Sequence, residues 1–382
     1  MVKLLTSLGF FLKWDRITSF SIRTYSGMYS GNQNSAQKIR ADFRSDTVTK
    51  PTDPMLFAMK NALVGDDVFA DDPTINEFQD RVAKLAGKEA ALFVTSGTLS
   101  NQLAIRTHLT QPPYSVVVDE RAHVHTYEAG GISFHAGAQV LTLSPAPGVH
   151  YLTSDQIEKK LVLDDDVHHA PTQLVCLENT MNGQIFPLEE QQKISKMVHG
   201  HGLKLHLDGA RLWNAITATG ISLKEACDPF DSVSLCFSKG LGAPVGSVLV
   251  GNAKFIKKAR HFRKLYGGGW RQAGLLASAC NYVLDNHLPL LKHDHENAAL
   301  LAEGLIKLGF KLSIPHETNM VWVDLSSKDL ISQDVYDALM AKGILNFGGN
   351  DTVLRFVVHH QISKEHIIET IDIISELLNS KE

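Results

Sequence analysis

From about Asp42 onward, short β-rich runs alternate with helix-length stretches, and this alternation constrains the fold more than any other feature. The β-rich runs fall at 91–94, 116–118, 174–177, 204–207, 232–235 and 247–250. Helical patterning fills 74–85, 99–108, 188–199 and 254–264. Strands separated by helices predict a wound, mostly parallel mixed sheet covered on both faces, an α/β architecture. After about Asn286 the pattern changes to long helices with sparse strands at 320–323 and 353–357. A chain of 382 residues exceeds what one small core organises. The expected organisation is therefore a large domain over 41–285 and a smaller α+β C-terminal domain over 286–382.

Residues 1–40 differ from the rest. Lys3, Lys13, Arg16, Arg23, Lys38 and Arg40 are basic, Asp15 is the lone acid, and Ser and Thr are frequent. The apolar run 4–12 is far short of the roughly 20 residues a membrane helix needs, so no membrane association is expected. Lys13-Trp14-Asp15-Arg16 stands where a secretory cleavage site would require small residues. The composition fits a mitochondrial transit peptide; a cytoplasmic protein with an N-terminal extension is the alternative. A net charge of −4 and a pI near 6.5 give no electrostatic basis for nucleic-acid binding. The four cysteines, Cys176, Cys227, Cys236 and Cys280, form no Cys-x-x-Cys pair. Neither a disulfide framework nor a zinc knuckle is expected, and the compartment is a reducing one.

The residues that carry chemistry gather after the predicted strands, where open α/β sheets bind ligands. Lys239 follows an apolar strand at once and is followed by Gly240 and Gly242. A lysine against an apolar wall loses solvation, which frees its amine as a nucleophile, and the glycines would let a bulky ring approach. On its own, Lys239 reads more readily as a surface lysine beside a glycine turn. Asp208 ends a strand thirty-one residues upstream, enough for one helix and one strand, so both lie at the same sheet edge. A carboxylate there can hold the pyridine nitrogen of pyridoxal phosphate protonated, making the ring an electron sink. It would also serve as a helix N-cap. Gly97 and Thr98 open a helix and offer backbone N–H groups to a phosphate. His123 follows the strand at 116–118 and can exchange protons near a reacting bond. His168, His169, His199, His201, His293 and His295 read as loop or surface residues, and no metal site is expected.

Several motifs recur in order: Asp42-Phe43-Arg44-Ser45-Asp46-Thr47-Val48-Thr49, Gly65-Asp66-Asp67-Val68, Ser96-Gly97-Thr98, Glu178-Asn179-Thr180, Asp208-Gly209-Ala210-Arg211, Ser238-Lys239-Gly240 and Gly267-Gly268-Gly269-Trp270-Arg271-Gln272. Together they resemble the low-specificity L-threonine aldolases, pyridoxal-phosphate enzymes of fold type I, and most closely the fungal members. The resemblance covers nearly everything after residue 41. It implies that Lys239 carries the cofactor as a Schiff base and that Asp208 binds the pyridine nitrogen. Gly97 and Thr98 would hold the phosphate, joined by Arg271 of a neighbouring subunit. Arg211 would serve both cofactor and substrate, Ser45, Arg211 and Arg355 the substrate carboxylate. His123 would stack on the ring face opposite Lys239. Shared sites imply a homodimer or homotetramer.

The implied reaction is retro-aldol cleavage of L-threonine or L-allo-threonine to glycine and acetaldehyde. Racemisation or β-elimination on the same scaffold, hydroxymethyl transfer, or a non-catalytic paralogue are the alternatives; no folate-binding segment is evident. Two positions depart from the family pattern. Met181 stands where bacterial members carry histidine, and Phe69 where tyrosine is usual.

Overall fold

A computed structural model describes residues 38–380. The extension expected over 1–40 lies, up to residue 37, outside the described residues. Ile39–Glu382 forms one compact unit. Its strands are β1 (Ala41–Asp42), β2 (Ala90–Val94), β3 (Ser115–Asp119), β4 (Gln139–Leu143), β5 (Thr172–Glu178), β6 (Lys204–Gly209), β7 (Ser232–Cys236), β8 (Ser247–Gly251), β9 (Lys311–Leu312), β10 (Met320–Asp324), β11 (Ile344–Leu345) and β12 (Val353–Val357).

Seven of these build the main sheet in the order β2-β8-β7-β6-β5-β3-β4. Only β8 runs antiparallel to its neighbours, β2 and β7. The mixed, mostly parallel α/β sheet is as expected, and all six predicted strands lie in it. β4 is an addition: Gln139–Leu143 is half-buried or exposed along its length, so it lacks the apolar run that marks a central strand. Helix ends obey local chemistry. Asp72 accepts from Ile75 N to open Pro73–Ala86, and Gly87, at φ 64°, closes it. Ser96 accepts from Leu99 N to open Gly97–His108.

Phe78 locks the core beneath the sheet, meeting Phe93 edge-on at 5.5 Å and Phe237 at 5.1 Å between ring centres. A second apolar cluster joins Val321, Val323, Leu354 and Phe356 of β10 and β12 to helix residues Leu301, Leu305, Ile367 and Ile374. β9, β10 and β12 form an antiparallel sheet there. Phe43 belongs to this second cluster and packs edge-on against Phe356 at 5.7 Å. β1 pairs in parallel with β11. The N-terminal strand is thus sewn to the C-terminal part of the chain. All four cysteines are buried free thiols. Among the described residues, no helix is long and apolar enough to cross a membrane.

Candidate active site

Parallel register brings the predicted chemistry to one sheet edge. Glu178, at the end of β5, lies opposite Asp208 of β6, and Asp208 lies opposite Ser234 of β7. Lys239 follows β7 after two residues, and His123 follows β3 after three. Asp208 is only 2% exposed. Its Oδ1 accepts from Ala210 N at 3.0 Å and its Oδ2 from Asn101 Nδ2 at 2.8 Å. The helix N-cap expected of Asp208 is not what forms: Arg211 precedes the helix Leu212–Thr219 with no side-chain cap bond, and Asp208 instead closes the turn at Ala210.

Lys239 is half-buried, and among the described residues no hydrogen bond or ion pair holds its Nζ. Its charge is felt by Asp46, His123 and Glu178. The glycines after it also make room within the chain. A Cβ on Gly240 would lie 3.1 Å from Asn214 Oδ1 and from Leu291 Cδ2. One on Gly242, at φ +79°, would lie 2.4 Å from His360 Cε1. The room they leave is filled by the chain's own side chains, so they shape the loop that presents Lys239.

His123 sits in the first turn of the short helix His123–Thr126, with its backbone N–H donating to Glu178 Oε2 at 2.7 Å. Its Nδ1 lies 3.0 Å from Glu128 Oε1. Burial lowers the imidazole pKa, but the bond to Glu128 and the charge of Asp208 outweigh it, so the net shift is upward. Glu178 is half-buried opposite a like charge: desolvation, then Asp208, pushes its carboxyl up to about 7.

Behind Asp208 runs a buried polar chain. Asn101 Oδ1 lies 3.1 Å from His206 Nε2, His206 Nδ1 2.8 Å from Ser232 Oγ, and Ser232 Oγ 2.8 Å from His108 Nε2. Burial holds His206 down to about 4 and His108 down to about 3, so both rings are neutral. His123, Glu128 and Asp208 place potential metal-binding atoms within 4.8 Å of one another. The Asn101 amide donates to both acids in that cluster.

The substrate-side residues converge on the 44–46 segment. Arg211 Nε and Nη2 donate to Asp46 Oδ2 and Oδ1 at 2.9 and 2.7 Å, a two-pronged pair. Burial alone would raise the Asp46 pKa, but Arg211 overrides it and holds the carboxyl down to about 2. One edge of the Arg211 fork is thus taken by the chain itself. Arg355 Nη2 donates to Arg44 O at 3.0 Å, and its guanidinium lies 5.6 Å from the ring centres of Trp322 and Phe347. Ser45 Oγ accepts from Thr47 Oγ1 at 2.8 Å.

Gly97 and Thr98 stand in the first turn of Gly97–His108, whose leading N–H groups have no partner within the helix. The buried Ser247 Oγ faces this turn, 3.8 Å from where a Gly97 Cβ would be, with no hydrogen-bond partner among the described residues. Among the described residues, Arg271 pairs with Asp66 at 2.9 Å and is more than half exposed.

The donor set fits pyridoxal phosphate: an uncommitted amine, a buried carboxylate beyond it, and a helix N-terminus with an orphan hydroxyl for a phosphate. Sequence reasoning missed Asn101, Glu128 and Ser247 and gave Glu178 no role of its own. It also misplaced His295, which is half-buried on Leu291–Lys307, accepts from Asn214 Nδ2 at 3.3 Å and is driven down to about 4 by burial. Its neighbour Asp294 is buried, with Oδ2 unpartnered among the described residues.

The family model described as Beta-eliminating lyase matches residues 42–328. A Schizosaccharomyces pombe protein named "Probable low-specificity L-threonine aldolase" is 47% identical, over 91% of this chain and 90% of its own. The Saccharomyces cerevisiae low specificity L-threonine aldolase is 45% identical over 85% and 83%. The solved Leishmania major threonine aldolase shares the fold at a TM-score of 0.76 and 22% identity, over 88% of this chain and 99% of that one. The chain therefore belongs to the beta-eliminating lyase family and, within it, to the low-specificity L-threonine aldolases.

Proposed function

We propose that the protein cleaves L-threonine and L-allo-threonine to glycine and acetaldehyde with pyridoxal phosphate as cofactor. The observation that carries this reading is the sheet edge itself, where an unpaired Lys239 amine, the buried Asp208 carboxylate and the His123 imidazole are brought together. When bound, the cofactor supplies an aldehyde that joins an amine and a ring that accepts an electron pair. Lys239 would hold it covalently, and Asp208 would receive its pyridine N–H. Gly97 N–H, Thr98 N–H and the Ser247 hydroxyl would take the phosphate.

The protein's own work is orientation and proton transfer. Arg355 and Ser45 fix the substrate carboxylate, and Arg211, held by Asp46, supports that end of the site. His123 Nε2 takes the proton of the β-hydroxyl as the Cα–Cβ bond opens. Alanine racemisation would use the same groups and is separated by chiral analysis after incubation with D- and L-alanine.

Arg271 would act from a second subunit, in a homodimer or homotetramer. The exposed Phe57, Leu63 and Phe69 support such an assembly. The division at about residue 286 is proposed on the second apolar cluster, and mitochondrial delivery on the composition of residues 1–40. The test of function is direct: purified protein should release aldehyde from both threonine isomers and be yellow, and Lys239→Ala should lose activity and colour together. A colourless wild-type protein, or a Lys239→Ala variant that still releases aldehyde, would overturn the proposal.

A further inference from the structure

Glu128 is fully buried, yet it lies five residues beyond His123 in a segment with no family motif assigned to it. Its surroundings fix its state. Oε1 faces Asn101 Nδ2 at 2.9 Å and His123 Nδ1 at 3.0 Å, and Oε2 faces Gln102 Nε2 at 2.5 Å. The Asn101 orientation follows from its company. Flipped, its carbonyl would confront two carboxylates, Glu128 and Asp208. A carboxylate surrounded by N–H groups is an acceptor only. The Nδ1 of His123 must then be the donor, which leaves Nε2 as the ring nitrogen with a free lone pair.

The backbone is built to admit this arrangement. A Cβ on Gly131, which opens the helix Gly131–Ala136, would lie 2.5 Å from Gln102 Cδ and Oε1. Only glycine there lets the Gln102 amide reach Glu128. Gly131 N also donates to Glu128 O at 2.9 Å, which fixes the turn carrying the acid.

We infer that Glu128 is a positioning residue, which holds His123 as the Nδ1–H tautomer and so delivers Nε2 to the substrate hydroxyl. Through Asn101, the same acid shares one amide group with Asp208, so the base and the ring-nitrogen partner are held in one frame. The inference rests on the retro-aldol reading for its use of His123, though the tautomer itself does not. The groups facing His123 are Glu128, Asp208, Glu178 and Lys239, with the Tyr127 ring centred 5.7 Å away.

The test is ¹⁵N-histidine labelling of the full-length protein as purified, with His123 assigned through a His123→Gln variant. Multiple-bond nitrogen–proton spectra distinguish the tautomers. Wild type should show Nδ1–H. Glu128→Gln should lose that preference, move the His123 midpoint to lower pH, and lower kcat/KM by about 100-fold. The visible absorbance of the bound cofactor should stay as in wild type. Gln102→Ala, which keeps the carboxylate, should preserve the Nδ1–H tautomer. An Nε2–H ring in wild type overturns the inference even where no variant folds. So does a Glu128→Gln protein with wild-type tautomer and pH profile. Absence of aldehyde release with the Nδ1–H tautomer present would instead sink the retro-aldol reading and leave the tautomer assignment standing.

Discussion

Asp294→Asn should stabilise the protein at neutral pH and leave it unchanged in acid. Asp294 is 2% exposed, its Oδ2 has no partner among the described residues, and burial, then the charge of Asp46, raises its pKa from 3.8 to about 8. In the unfolded chain the carboxyl ionises near its ordinary value. In the folded protein it stays neutral, which lets Asp46 alone carry the charge that holds Arg211. The sign follows from a raised folded-state pKa. The native state binds the extra proton, so its contribution is complete below pH 3.8 and is lost progressively as pH rises toward 8. Each pH unit within that window costs about 1.4 kcal/mol, so moving from pH 5 to pH 7 costs about 2.7 kcal/mol. Asparagine keeps the polar shape and titrates nowhere in this range. Urea unfolding of wild type and variant, in parallel at pH 5 and pH 7, should show the stability difference growing by roughly 2 to 3 kcal/mol in the variant's favour. Other titrating groups cancel in that comparison. A difference that stays flat between the two pH values would refute a neutral, buried Asp294.

Further outcomes follow from the site. Asp208→Asn should keep the cofactor bound and yellow while kcat falls by about 100-fold or more, read by aldehyde release. Ser247→Ala removes the orphan hydroxyl facing Gly97 and should weaken cofactor affinity by about 2- to 10-fold in equilibrium titration. Arg355→Lys keeps a charge between Trp322 and Phe347 but loses the planar fork, so KM for threonine should rise by roughly 10- to 100-fold in steady-state assays.

How far these groups could be read from the chain depends on what fixes them. Lys239, Asp208 and His123 were legible because each directly follows or ends an apolar strand, and parallel register turns that position into a shared edge. Gly97 and Thr98 were legible as a helix start. Asn101 and Glu128 were not. Asn101 lies mid-helix, where a polar residue ordinarily signals a solvated face, and its contacts with Asp208 and His206 span 107 and 105 residues. Glu128 sits in a short irregular segment with no periodicity to read. Ser247 is an ordinary strand serine until β8 is placed between β2 and β7. The error at His295 was avoidable: Leu291, Asp294, Ala298 and Leu301 are all buried at helical spacing. That stripe marks Asp294 as inward-facing and places His295 at its margin. That the glycines after Lys239 also make room for Leu291 and His360 shows only in the folded chain.

The stitching of β1 to β11 sets a limit on proteolytic trimming. Arg40 N donates to Gly343 O, Ala41 and Asp42 pair with Ile344 and Leu345, and Phe43 is buried against Phe356. A protease that stops before Arg40 leaves all of these in place. One that removes four residues more takes the strand and the aromatic plug, and unmoors Asp46, the counter-ion of Arg211. Any trimming of the amino terminus would therefore have a hard stop just short of residue 40, beyond which the loss reaches the ion pair of Asp46 with Arg211.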